Sequence, residues 1–189
     1  MRKFSEILLA IILFCSSLSA QQKLSLNDLF VNGTFYTKGV YGLRSMNDGE
    51  HYTLLEGNGS QIVKYSYKTG LPVQTLLDLN KLENCPVKYI NDYEFNAGES
   101  RILLKKKKKT IYRRSFTADY YVFDFKNKEI KPLSEGGSQR LATFSPDGSR
   151  IAFVRDNDLF IHDLRFGSER QITNDGKYNY IINGAPDWV

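Results

Sequence analysis

Side chains able to do acid–base, nucleophilic or metal chemistry are few and widely spaced in this sequence. The only histidines are His51 and His162, each inside a strand-like run, more than a hundred positions apart. Neither has a partner pattern for a zinc site or a Ser-His-Asp triad, so both read as surface or packed strand residues. No Gly-x-Ser-x-Gly elbow occurs: Gly57-Asn58-Gly59-Ser60 and Gly136-Gly137-Ser138 lack the spacing and read as turns. Asp156-x-Asp158 offers two carboxylates, but a calcium loop needs more oxygen donors and a glycine at fixed spacing, so a solvated hairpin turn is expected. No metal and no cofactor is therefore expected. The run Lys105 to Lys109 is the one feature that hints at a polyanion. A nucleic-acid surface needs more cationic positions with aromatic stacking partners, and Tyr112 is the sole aromatic neighbour in view. The run reads as a solvated strand end, and no nucleic-acid partner is expected.

Charge bookkeeping agrees. The chain carries a formal +5, of which Arg2, Lys3 and Glu6 contribute a net +1. The remaining +4 becomes −1 once the five lysines are set aside, so the protein is nearly neutral with one basic spot. The N-terminus reads as an export signal over residues 1–20: a positive Arg2-Lys3, an apolar Ile7 to Phe14, then Ser16, Ser17, Ser19 and Ala20. Cleavage after Ser19 and cleavage after Ala20 both fit. The apolar run is far shorter than the roughly 20 residues that span a bilayer. An exported protein is expected, whether periplasmic, cell-surface or secreted. Beyond the signal only Cys85 remains, either a buried free thiol or paired with a cysteine outside the chain, burial being the plainer reading.

The elements that must position these groups are short strands. A lead-in over 21–41 holds one short helix, capped by Ser25 with Asp28 three residues on. From residue 42 to 189 β-rich runs alternate with Gly, Asn and Pro turns, such as His51 to Leu55, Gly57-Asn58-Gly59, and Gln61 to Tyr67. A layout of turn then strand repeats three times: Met46-Asn47-Asp48-Gly49, Phe95-Asn96-Ala97-Gly98, and Phe144-Ser145-Pro146-Asp147-Gly148. Their glycines lie 49 and 50 positions apart. A period near 50 with four strands per unit marks propeller blades, which stack because one sheet cannot bury both faces alone. The expected fold is all-β: about three four-stranded antiparallel blades of a larger β-propeller, after a signal peptide and a short helix. Since propellers close with four to eight blades, the segment is expected to be part of a longer protein.

Two stretches are more specific. Tyr112-Arg113-Arg114-Ser115-Phe116-Thr117-Ala118-Asp119-Tyr120-Tyr121 resembles the arginine-bearing blade segment of the dipeptidyl-peptidase IV family. Ile172-Thr173-Asn174-Asp175-Gly176, with Ile181-Ile182-Asn183-Gly184 and Pro186-Asp187-Trp188-Val189, resembles the run upstream of that family's paired glutamates. With Gly42-Leu43-Arg44-Ser45-Met46 and Gly49-Glu50-His51-Tyr52, the likeness covers nearly all of the chain past the signal. The resemblance implies a serine exopeptidase that removes N-terminal Xaa-Pro or Xaa-Ala dipeptides. Its substrates are peptides with a free N-terminus, its hydrolase domain is missing from this segment, and the full-length protein admits a homodimer. The segment alone is then expected to be inactive and to serve gating and recognition. Arg113 matches the arginine that holds a substrate carbonyl, a task for a planar fork. A strand-end arginine is the plainer alternative. On a strand, Arg113 and Arg114 would point to opposite faces, and the register of the resemblance favours Arg113.

Overall fold

Left-handed residues close most of the hairpins. The structure, a computed structural model, describes residues 24–36, 39–40, 42–111, 113 and 115–186. The chain divides into two compact units, Met1–Val40 and Tyr41–Val189. The expected signal peptide lies outside the described residues. In the first unit, α1 (Leu26–Phe30) begins at the expected capping box: Asp28 N–H donates to the Ser25 hydroxyl, and the Asp28 carboxylate accepts from Ser25 N–H at 3.0 Å.

The second unit is three four-stranded antiparallel sheets in which neighbouring strands follow chain order. Blade 1 holds β1 (Arg44–Ser45), β2 (His51–Glu56), β3 (Gln61–Ser66) and β4 (Pro72–Asp78). Blade 2 holds β5 (Asp92–Phe95), β6 (Arg101–Thr110), β7 (Phe116–Asp124) and β8 (Glu129–Pro132). Blade 3 holds β9 (Arg140–Phe144), β10 (Arg150–Arg155), β11 (Asp158–Asp163) and β12 (Ser168–Gln171). These are three blades of a β-propeller. The first strand of each blade lines the axis and the fourth forms the rim, which is why β8 and β12 are mostly exposed.

Period-two patterning lets blade 2 serve both neighbours. Ile102, Leu104 and Phe123 join Ile62, Leu77 and Tyr93 in a core shared with blade 1. Leu103, Ala118 and Tyr120 point the other way and pack with Ile151, Phe153 and Phe160 of blade 3. Where β8 stops, the buried Gln139 takes over the edge of β7. Its backbone exchanges two hydrogen bonds with Ala118, at 2.9 and 2.8 Å, and its side-chain oxygen accepts from Tyr120 N–H at 3.1 Å. The β7 ladder therefore leaves no orphan donor there. Cys85 is half-buried against the first core and donates to the Val87 carbonyl at 3.0 Å.

The three repeat turns close by bonds from the fourth residue to the first: Gly49 to Met46, Glu99 to Asn96, and Gly148 to Ser145. The left-handed fourth position is thus Glu99 in blade 2 (φ 50°), not the Gly98 that the glycine spacing singles out. A side chain there costs about 1–2 kcal/mol in backbone strain, and its carboxylate is put to use, accepting from Asn47 N–H of blade 1 at 2.6 Å.

Candidate functional site

β6 and β7 run to 10 and 9 residues while β5 and β8 have four each, so this hairpin extends as an arm beyond its sheet. The arm leaves the end of the sheet opposite the Asn96–Glu99 turn. Ile111, Arg113 and Ser115 lie at its tip, closed by Ile111 N–H donating to Ser115 O at 2.8 Å. Arg113 lies in that tip, exposed and outside any strand. Strand alternation therefore does not set the direction of its side chain, and Arg114 lies outside the described residues.

The lysine run forms the outer half of β6, where Lys107 to Lys109 are exposed as the expected solvated strand end and Lys105 and Lys106 are partly buried. Each lysine except Lys108 pairs with a β7 residue, from Lys105↔Tyr120 to Lys109↔Thr117, with a bulge between Lys107 and Lys109. Most of the charge is occupied locally. Lys105 Nζ meets Asp92 at 2.6 Å and Lys108 Nζ meets Asp119 at 3.4 Å. Lys106 lies over the Tyr89 ring at 5.0 Å, and Lys107 over the Phe116 ring at 4.8 Å. Among the described residues Tyr89 and Phe116 supply the aromatic faces, Tyr89 from a distant part of the sequence, while Tyr112 lies outside the described residues. Asp92 also binds the Arg44 guanidinium of blade 1. Burial alone would raise the Asp92 carboxyl, but hydrogen bonds from Lys105 and Arg44 outweigh it and hold the group below the ordinary carboxylate range.

Asp156-x-Asp158 forms the expected hairpin turn, but Asp158 is not solvated. Asp156 and Asn157 are both left-handed (φ 51° and 67°) and close a two-residue hairpin between Arg155 and Asp158. Asp158 itself is buried. Its carboxylate accepts from the Thr173 hydroxyl at 2.8 Å and Gly176 N–H at 2.9 Å, and from the Asn183 and Gln171 amides at 3.2 Å each. A side chain on Gly176 would sit 2.7 Å from the Asn157 backbone, so glycine permits this approach. The hub ties 172–184 onto blade 3, where Gly184 lies against Val154 and Leu159. Asp158→Ala is expected to free this segment, seen as faster proteolysis between Ile172 and Gly184. The Thr173 hydroxyl, with Gly176, Asn183 and Gln171, holds the Asp158 carboxyl below its ordinary range against the opposing effect of burial. Its folded value being depressed, the contribution is full above the ordinary carboxylate pKa and is lost as pH falls through the folded value. The same proteolysis should therefore accelerate in wild type below about pH 4 and change little between pH 5 and 8.

The histidines stay apart. His51, at the start of β2, has Nδ1 2.7 Å from the Asp48 carboxylate. His162, on β11, lines a rim cleft of about 500 Å³ together with Lys131, Ser134 and Glu169. Burial lowers the His162 pKa, so the ring is neutral near pH 7.

Residues 96–189 match the family described as "Dipeptidyl peptidase IV (DPP IV) N-terminal region". The crystal structure of Porphyromonas gingivalis dipeptidyl peptidase 4 superposes with a TM-score of 0.78 at 41% identity, covering 90% of this chain and 24% of that one. Human prolyl endopeptidase FAP is 29% identical over 174 residues, 90% of this chain and 22% of its own length. A probable dipeptidyl peptidase 4 of Aspergillus fumigatus is 42% identical over 80 residues, 41% of this chain and 10% of its own. The chain spans about a quarter or less of the length of these relatives. Sequence match, blade topology and superposition agree: the chain belongs to the dipeptidyl peptidase IV family, as its N-terminal propeller region.

Proposed function

We propose that this chain is the propeller portion of an exported serine-type dipeptidyl peptidase that releases Xaa-Pro or Xaa-Ala dipeptides from the free N-terminus of peptides. The observation that carries this reading is Arg113, presented by an arm that projects beyond blade 2 in a chain of this family. Its role is recognition: the guanidinium fork donates to a substrate carbonyl, and the propeller restricts which peptides reach the chemistry. Acyl transfer belongs to a hydrolase domain with its own serine, histidine and acid. Export follows from the Arg2-Lys3 and Ile7 to Phe14 pattern. The test compares the full-length protein with the present segment on Gly-Pro and Ala-Ala chromogenic substrates. Release of dipeptide by the full-length protein and none by the segment is the expected result. A full-length protein without release would leave a non-catalytic binding propeller instead.

A further inference from the structure

The lysine run has a use that a polyanion site would not explain. Lys105 stands at the base of the arm, where β6 passes β5, and pairs with Asp92 at 2.6 Å. Asp92 belongs to the axial strand of blade 2 and binds Arg44 on the axial strand of blade 1, whose guanidinium also stacks 5.2 Å from the Tyr93 ring. On the arm itself, the Lys105 and Lys107 ammonium groups lie 5.4 and 4.8 Å from the Phe116 ring, which opens the returning strand. Asn91 adds a bond on each side: its N–H donates to Lys105 O at 2.8 Å, and its side-chain oxygen accepts from Lys107 N–H at 2.7 Å. Blade 1, the axial strand of blade 2 and both strands of the arm thus form one connected set, and the arm ends in Arg113.

Resting on the role given to Arg113, the geometry points to Asp92 and Lys105 as positioning residues: they fix the angle at which the arm presents Arg113. Neither touches the substrate. Three consecutive lysines of the run serve this set, with Lys105 on a carboxylate and an aromatic ring, Lys106 on Tyr89 and Lys107 on Phe116. Fixing the arm before substrate arrives spares the ordering cost at binding.

The decisive variant is Lys105→Met in the full-length protein, because it keeps the aliphatic bulk and leaves the Arg44–Asp92 pair intact. Amide hydrogen exchange at Lys107–Thr110 and Phe116–Ala118 is expected to rise about fivefold, with blade 1 unchanged. KM on Gly-Pro substrates should rise severalfold with kcat held. Lys105→Arg, which reaches the same carboxylate, should remain within about twofold of wild type in both readouts. Arm exchange that changes less than about twofold in Lys105→Met, or a kcat that falls with KM unchanged, overturns the positioning role. Arg113→Ala is measured alongside. If it leaves KM and kcat untouched, the reading of Arg113 fails, while exchange still decides whether Lys105 and Asp92 hold the arm.

Discussion

Arg113→Ala in the full-length protein is expected to lower kcat/KM on Xaa-Pro substrates by about 10- to 100-fold. Charge-assisted hydrogen bonds to a carbonyl are worth roughly 1.5–3 kcal/mol, and each ~1.4 kcal/mol is a factor of ten. Arg113→Lys should recover only part of the loss, since an ammonium is a point charge without the fork. Stability should hardly change, because the residue is exposed in the arm tip and supports no core. Steady-state kinetics on one Gly-Pro chromogenic substrate measure all of this. Arg114→Ala is the internal control and should cost much less. If Arg114→Ala is the damaging change, the register is off by one. If both variants keep full activity, Arg113 does not bind the substrate.

Gly59→Ala should be among the most destabilising single changes in the propeller. Gly59 sits at φ 88° at the β2–β3 tip, and its carbonyl accepts from Ile90 N–H at 2.8 Å. A Cβ built there would lie 2.3 Å from the Ile90 carbonyl oxygen, a backbone atom that no rotamer can move aside. Left-handed strain of about 1–2 kcal/mol adds to overpacking of about 1–3 kcal/mol, giving roughly 2–5 kcal/mol. The chain entering blade 2 crosses the hairpin of blade 1 at this point, so the damage falls on the joint between blades. Gly70→Ala separates the two contributions: φ is 66° but nothing lies within 4 Å of its Cβ position. It should cost only the strain, about 1–2 kcal/mol. Urea unfolding of both variants checks this, and equal losses would mean that the Ile90 approach does not matter.

Turns and strands were legible because their signals are local. Ser145-Pro146-Asp147-Gly148 names its own turn, and the apolar run Ile102 to Leu104 names a strand, although three consecutive apolar residues do not say which face meets which neighbour. Asp158 was misread because its partners lie 13 to 25 residues later in the sequence, and nothing in Asp156-x-Asp158 announces them. Glycine spacing locates the second repeat turn but does not tell that Glu99 is its left-handed residue, a position where the Glu99 carboxylate accepts a bond from the distant Asn47. The solvated strand end read for the lysines holds for Lys107 to Lys109, while the cover that Asp92 and Tyr89 give Lys105 and Lys106 comes from residues distant in the sequence. Arg113 was identified by resemblance, but its place in a loop rather than a strand required the fold.

The opposite allegiances of Ile102, Leu103 and Leu104 restrict how this protein can change in length over time. One residue inserted into β6 would turn every later side chain of that strand to the wrong neighbour, exchanging the contents of two cores at once. Gain or loss of sequence is then confined to the tips, such as 111–115, or to complete repeats of about fifty residues. The blade is therefore the unit in which such a lineage can be edited, while changes at the arm tip act on recognition through Arg113 without disturbing either core.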